Sequence, residues 1–178
     1  EKDNLNSRNI SSLILNCNVR SMLTEEVKTS QGTFTKLYVP GWQSTNKAGE
    51  PQLPMLSRII EVPMGGKVSV KVISSEKVED TIATYKITSP LYPKQPSMRR
   101  DQKEAASSYS RSAYAKSYTR APIATVEELG MMRASRLVKV NFLPVEYNPA
   151  EKRIAFHSNI KVELVIEDAD VKKTLQLK

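Results

Sequence analysis

One cysteine and one histidine are the only residues in this sequence from which a thiol–imidazole pair could be built. A histidine that takes the proton from a neighbouring cysteine makes a strong nucleophile, so Cys17 and His157 are the candidates for covalent catalysis. Cys17 lies in the apolar stretch 13–19 and His157 follows Phe156, and both stretches are predicted to be strands. A small buried thiol and a strand histidine are typical of such settings. We therefore expect no catalytic residues and no enzymatic activity.

The same counts exclude several kinds of site. A single cysteine forms no intramolecular disulfide and no cysteine-cluster zinc site, and a single histidine makes no multi-histidine metal site. The six glycines are scattered, and only Gly65 and Gly66 are adjacent, so the chain has no glycine-rich phosphate loop. The sequence predicts neither a metal nor a cofactor.

A basic segment at residues 88–122 is the strongest candidate for a functional site. It contains seven basic and two acidic residues, a net charge of +5 within a chain whose net charge is +8. Pro90, Pro93 and Pro96 open the segment, and no sustained apolar alternation follows them. A loop this long in a compact domain is usually functional or disordered. We expect residues 88–122 to form a long, exposed loop that projects from a rigid scaffold.

Within this segment, Met98, Arg99, Arg100 and Asp101 resemble a peptidase substrate. The guanidinium of arginine presents a planar fork of five donors, which an acidic group at the base of a specificity pocket recognises well. A scaffold that held such a segment in one pose would lose little entropy on binding and could inhibit the enzyme.

A nucleic-acid interface is an alternative for the same segment. Tyr109, Tyr114 and Tyr118 are interleaved with serine and basic residues, a composition that could track phosphates and stack bases. No helix is predicted to present the charges, and no ribonucleoprotein-type aromatic motif occurs. The sequence therefore favours a protein partner over nucleic acid.

The elements that must position this segment are predicted to be β-strands. Apolar and polar residues alternate with a period of two at residues 68–72, 138–142 and 160–167, with Val165 as the exception, which indicates strands with one solvated face. Turn residues at 30–32 and 148–152 predict hairpins, and Pro63 to Gly66 predict a further turn. Residues 126–129 are read as a possible helical turn, stopped by Gly130. We predict eight to ten strands in an all-β fold, an antiparallel β-sandwich of jelly-roll type.

The organisation predicted is a single domain over residues 1–178, with residues 88–122 as its projecting loop. No apolar run approaches the roughly 18 residues of a membrane helix, so no membrane span is expected. The chain opens without methionine and shows no signal peptide, which suggests a processed product. No oligomeric state is predicted.

Four blocks of sequence resemble the N-terminal propeptides of the gingipains, which are secreted, caspase-like cysteine peptidases of oral bacteria. Residues 49–63 read GEPQLPMLSRIIEVP, and residues 140–149 read VNFLPVEYNP. Residues 95–100 read QPSMRR and residues 127–133 read EELGMMR, and both are similar to the lysine-specific members. The blocks occur in the family's order and, with the sequence around them, cover roughly residues 12–168.

This resemblance implies a non-catalytic latency module. Such propeptides are β-sandwich-like domains that assist the folding of their peptidase and block its cleft with a basic loop residue. Alignment of the blocks assigns this role to Arg100, with Arg99 as the alternative, and Met98 and Asp101 as neighbours. The implied partner is a gingipain-like cysteine peptidase domain, and the implied location is secreted, periplasmic or extracellular, in a bacterium. Whether the partner prefers arginine or lysine is left open.

A second class of function is a β-sandwich adhesin or carbohydrate-binding module. Such sites place aromatic side chains on a sheet face or at a loop rim, and Trp42 is the one tryptophan available. Its setting after Pro40 and Gly41 is more typical of a partly buried turn residue.

Overall fold

Strands account for most of this computed structural model, which describes residues 11–97, 108–115 and 122–177. Within these ranges, ten strands, a 3₁₀ turn and two short helices follow one another. In order they are β1 (Ser11–Cys17), β2 (Leu23–Thr29), β3 (Gly32–Tyr38), β4 (Gln43–Ser44), β5 (Pro54–Val62), β6 (Lys67–Thr81), the 3₁₀ turn (Ile82–Tyr85), α1 (Arg111–Ala115), β7 (Ala124–Met132), β8 (Ser135–Phe142), β9 (Val145–Asn148), β10 (Arg153–Glu167) and α2 (Val171–Gln176).

Two antiparallel sheets face each other. In the first sheet β10 pairs with β6 along one edge and with β9 and then β1 along the other, and in the second the strand order is β4-β5-β8-β7. Strands β2 and β3 form a separate hairpin. The predicted all-β, antiparallel sandwich is confirmed.

The main core lies between the sheets and is built by alternation. Ile160, Val162 and Leu164 of β10 are fully buried, while Lys161 between them is exposed. Val138 and Val140 of β8 meet them from the second sheet and are fully buried as well. A second cluster, under the β2–β3 hairpin, consists of Leu37, Ile82, Ile87, Leu91, Val145 and Ile154. Strand periodicity therefore set both sheet faces, since each apolar residue removed from water favours the folded chain.

Turns fall close to where the sequence placed them, with two differences. The hairpins after Thr29 and after Asn148 are present, but Pro144 divides the chain before the second hairpin into two strands, so that β8 ends at Phe142 and β9 starts at Val145. The expected helical turn at residues 126–129 is wrong, because these residues belong to β7. A bulge there brings Gly130 to a φ of +97°, a conformation that glycine adopts readily.

The turn at Pro63 to Gly66 is not a hairpin. Strand β5 pairs with β8 in one sheet, whereas β6 pairs with β10 in the other, so this turn carries the chain between the two sheets. Arg136 of β8, which is 8% exposed, donates hydrogen bonds to the carbonyls of Pro63, Gly65 and Gly66. The crossing is thus fixed by a buried guanidinium.

Candidate functional site

The residues predicted to carry the function, Met98, Arg99, Arg100 and Asp101, lie outside the described residues. The structure describes the chain on either side of them. We call residues 90–97 the entry arm and residues 108–115 the exit arm. The contacts of the two arms fix the two ends between which residues 98–107 run.

The entry arm is held as an extended segment between two other parts of the chain. Thr35 of β3 donates a backbone hydrogen bond to Pro90 O (2.8 Å) and accepts one from Tyr92 N (2.8 Å). On the other side, Gln52 N donates to Tyr92 O at 2.8 Å. Leu91 is fully buried in the second core cluster. The expectation of an exposed loop from residue 88 onward therefore does not hold for this arm, because backbone pairing and the burial of Leu91 fix it to the domain.

The exit arm packs against the entry arm through aromatic side chains. Tyr109 and Tyr114 stack with their ring centroids 4.7 Å apart, and Phe34 of β3 lies 5.9 Å from Tyr109. The Tyr114 hydroxyl donates to Leu91 O, and burial raises the pKa of Tyr114 well above its usual value. These two tyrosines are occupied within the domain and offer no free stacking platform, which argues against the nucleic-acid alternative. Tyr118 lies outside the described residues.

The backbone of Gly49 forms hydrogen bonds to both arms. Its N–H donates to Lys94 O at 2.8 Å, and its carbonyl accepts from Ser110 N at 3.0 Å. Gly49 is buried with a φ of +81°, and a Cβ there would lie 3.0 Å from Ser108 Oγ. Glycine is required at this point because the backbones approach closely and the left-handed conformation is costly for other residues.

The side-chain amide of Gln95, a residue of the entry arm, forms hydrogen bonds to the exit arm. Its amide Nε2 donates to Pro93 O (2.9 Å) and to Ser108 O (3.3 Å), and its Oε1 accepts from Ser108 N (2.9 Å). The side chain thus pairs with the backbone of Ser108 on both its donor and its acceptor groups. Sequence reasoning missed Gln95 as a functional residue, since a glutamine in a predicted loop gives no signal of its own. Gly49 and Gln95 both lie in blocks that resemble the family, but the sequence alone assigns neither of them a role.

Cys17 and His157 do not form a dyad. Cys17 pairs with Ile160 of β10, three residues beyond His157, a separation of about 10 Å along a strand. The thiol is 1% exposed, and desolvation by burial raises its pKa to about 11, so the nucleophilic thiolate is disfavoured.

His157 belongs to a buried polar cluster instead. Its Nδ1 lies 3.2 Å from Ser75 Oγ, and its Nε2 lies 3.3 Å from Glu146 Oε1, in an orientation that forms no directed hydrogen bond. Lys77 Nζ donates to Glu146 Oε2 at 2.9 Å. These contacts tie β6, β9 and β10 together and neutralise a buried carboxylate.

Trp42, the candidate for a carbohydrate site, is a half-buried turn residue. Its backbone N–H donates to Val39 O at 3.0 Å, and its side chain packs against the main core. This packing is the role expected of a partly buried turn aromatic.

Two further kinds of feature are absent from the described residues. In residues 11–97, 108–115 and 122–177, no helix is long and apolar enough to cross a membrane. The same ranges contain no group of three or more His, Cys, Asp or Glu side chains placed to hold a metal ion.

Comparison with known proteins gives consistent results at the levels of sequence and structure. The chain is 31% identical over 155 residues to Lys-gingipain HG66 of Porphyromonas gingivalis, which covers 85% of this chain and 9% of that protein. It is 29% identical over 143 residues to gingipain R1 of the same organism, which covers 77% of this chain and 13% of that protein. The chain therefore spans about a tenth of the length of these curated relatives.

Two solved structures superpose on most of the domain. One, reported as structural insight into the zymogenic latency of gingipain K from P. gingivalis, matches with a TM-score of 0.79 at 26% identity and covers 89% of this chain and 88% of that one. The other, the complex of the P. gingivalis RgpB pro- and mature domains, matches with a TM-score of 0.75 at 25% identity and covers 88% and 79%. The model of the Propeptide_C25 family matches residues 3–177. This match confirms the expected resemblance and the prediction of a pro-region that is not itself the catalytic domain: the chain belongs to the Propeptide_C25 family.

Proposed function

We propose that this chain is the pro-region of a secreted bacterial gingipain-like cysteine peptidase, which it binds, keeps latent and helps to fold. The inhibitory contact is the insertion of Arg100 into the specificity pocket of the catalytic domain, with Arg99 as the alternative. Met98 and Asp101 lie on either side of the two arginines in the sequence and belong to the same inhibitory segment.

One structural observation carries this proposal: both arms beside residues 98–107 are fixed to the β scaffold. The entry arm is hydrogen-bonded on two sides, and the exit arm is joined to it through Gly49 and Gln95. A segment whose ends are already ordered loses less conformational entropy on binding than a free peptide, so a substrate-like sequence becomes an inhibitor. The family supports this use of the scaffold, since the related RgpB structure is a complex of pro- and mature domains.

Charge supports the same docking mode. The segment 88–122 has a net charge of +5, and its arginines offer the planar donor fork that a carboxylate in a specificity pocket recognises. A positive segment also accelerates encounter with an acidic cleft, because complementary fields steer diffusion.

The test is inhibition of the catalytic domain of the same precursor by purified wild-type chain and by Arg100→Ala and Arg99→Ala variants. Removing one partner of a buried, hydrogen-bonded charge pair costs about 2–5 kcal/mol. Arg100→Ala should therefore raise the inhibition constant by about 30-fold to about 5,000-fold.

Arg111→Ala is the matched control. Arg111 is an exposed arginine at the start of α1, so its loss removes the same charge from the same region without removing a pocket contact. We expect less than a threefold change, which isolates insertion from electrostatic steering. Wild-type inhibition by both Arg100→Ala and Arg99→Ala would contradict the proposed contact.

A further inference from the structure

The amide of Gln95 bridges the two arms on either side of residues 98–107. The residue is half-buried, and its three hydrogen bonds reach Pro93 O in its own arm and both backbone polar groups of Ser108 in the other. Among the described residues of the two arms, Tyr114 of the exit arm donates only to Leu91 O of the entry arm, whereas Gln95 is bonded to both arms at once. Gln95 and Ser108 therefore define the span that residues 96–107 must bridge.

Gly49 supports this span from the scaffold. It accepts from Ser110 and donates to Lys94, so that three separate stretches of backbone meet at one buried residue. Pro51 and Pro93 form an isolated antiparallel bridge beside it. The arms are thus joined to each other and also to a part of the chain more than 40 residues away.

We propose that Gln95 is a positioning residue whose amide clasps the two arms, so that cleavage between them neither separates the arms nor ends inhibition. This inference rests on the proposed function where it concerns inhibition. It concerns the contacts of Gln95 and leaves the choice of pocket residue unchanged.

The chemistry of cleavage explains why such a clasp matters. A peptidase attacks the scissile carbonyl to form an acyl-enzyme and expels the amine of the following residue, and water then releases the carboxylate. If the new amine stays beside the acyl-enzyme, it re-attacks the acyl carbon, re-forms the peptide bond and returns the enzyme nucleophile with its proton. A tethered group has a high effective concentration, about millimolar for short flexible tethers, whereas a released one is diluted at once. Net hydrolysis is therefore slow while both arms are held.

Fragment association alone does not test the clasp. Strands β5 and β6 precede residues 98–107, and they pair with β8 and β10, which follow them. A cut chain stays together through these sheets whether or not Gln95 is present. The informative quantities are the rate of cleavage and the inhibition that remains after cleavage.

The main experiment uses Gln95→Met in the full chain, with trypsin as the probe peptidase. Methionine keeps the length of the side chain and removes all three hydrogen bonds. Loss of such bonds should raise the kcat/KM of trypsin cleavage within residues 98–107 by about tenfold, with cleavage sites assigned by mass spectrometry. Gln176→Met, in exposed α2, is the matched control and should cleave like wild type within twofold.

Two further measurements separate positioning from a general loss of stability. The rate of cleavage outside residues 98–107 should be the same in Gln95→Met as in wild type within twofold, because the lost contacts hold only the two arms. Hydrogen exchange on the wild-type chain needs no variant at all: the Ser108 amide should be protected, because its N–H donates a hydrogen bond to Gln95 Oε1. Gly49→Ala, which disturbs the junction from the scaffold side, should accelerate the same cleavage.

A separate assay measures how strongly intact and trypsin-nicked chains inhibit the catalytic domain of the precursor. Nicked wild type should inhibit within threefold of the intact chain, whereas nicked Gln95→Met should inhibit at least tenfold more weakly than its own intact form. Equal cleavage rates for wild type and Gln95→Met, or an unprotected Ser108 amide, would overturn the clasp. If Arg100→Ala and Arg99→Ala inhibit like wild type, the proposed function fails, but the trypsin and exchange results still decide the role of Gln95.

Discussion

Replacing Arg136 by methionine is expected to loosen the turn that carries the chain from one sheet to the other. The guanidinium donates to Pro63 O at 3.2 Å, to Gly66 O at 3.1 Å and to Gly65 O, and it forms a two-bond pair with Glu128 at 2.8 and 3.1 Å. Methionine fills most of the same space but donates nothing. The three carbonyls of the turn then lose their shared partner.

The size of the effect follows from exposure. Glu128 is 55% exposed, so its ion pair with Arg136 contributes at most about 1 kcal/mol once screening is included. Hydrogen bonds from a charged donor contribute about 1.5–3 kcal/mol each, but three on one group are not additive and water replaces some of them. We expect Arg136→Met to lower the free energy of unfolding by about 2–4 kcal/mol, a large share of the 5–15 kcal/mol typical of a domain.

Urea denaturation of the purified domain measures this loss as a shift in midpoint at constant m value. Arg133→Met is the matched control, because Arg133 is exposed in the turn between β7 and β8, and its change should stay within about 0.5 kcal/mol. Equal midpoints for the two variants would refute the assignment of Arg136 as the residue that fixes the crossing.

The same pair has a pH dependence of known sign. The hydrogen bond from Arg136 lowers the pKa of Glu128 below its usual value, so its stabilisation is present above the unfolded pKa of about 4.3 and is lost as the pH falls through the lower folded value. The difference in unfolding free energy between wild type and Arg136→Met should therefore narrow from pH 5 to pH 3. A constant or widening difference would contradict this origin of the shift.

Three other measurements test the packing of the scaffold. The Cys17 thiol, with its pKa raised to about 11 by burial, should react with iodoacetamide at pH 8 at least about a hundredfold more slowly in the folded chain than in denaturant, and rapid stoichiometric labelling would show that it is accessible. Lys77→Met should lower the free energy of unfolding, measured by urea denaturation, by about 2–4 kcal/mol, because Glu146 is only 7% exposed and loses its nearest cation. Lys71→Met, at an exposed position on the same strand, is the control and should lower it by less than about 1 kcal/mol. Equal losses for the two variants would contradict the importance of that ion pair. Gly66→Ala should lower the free energy of unfolding by about 3 kcal/mol or more, because the new Cβ would overlap Glu167 O. Gly41→Ala, at a similar φ of +79° but with no neighbour within 4 Å, should lower it by about 1 kcal/mol. Similar thermal midpoints for the two variants would show that the backbone moves to relieve the overlap at Gly66.

The sequence predicted the scaffold well because strand periodicity is a local property. Ile160, Val162, Leu164 and Ile166 alternate with other residues along one strand, and the structure places all four in the main core. The prediction of a helical turn at 126–129 was wrong because four residues are too few to show a period. Pairing with β8, a non-local contact, decided their conformation.

The base of the basic segment could not be predicted in the same way. Gln95 acquires its role from Ser108, and Gly49 from Lys94 and Ser110, and these contacts appear only when distant stretches of chain meet. The buried Glu146, Lys77 and His157 cluster is likewise non-local, since it joins three strands. Local patterns predict which face of a strand is buried, whereas polar junctions depend on tertiary structure.

The most direct test of the proposed function is an experimental structure of this chain bound to the catalytic domain of its precursor. We predict that the guanidinium of Arg100, or that of Arg99, occupies the specificity pocket while Gln95 remains hydrogen-bonded to Ser108. A pocket that is empty, or that is filled by another part of the chain, would contradict the account.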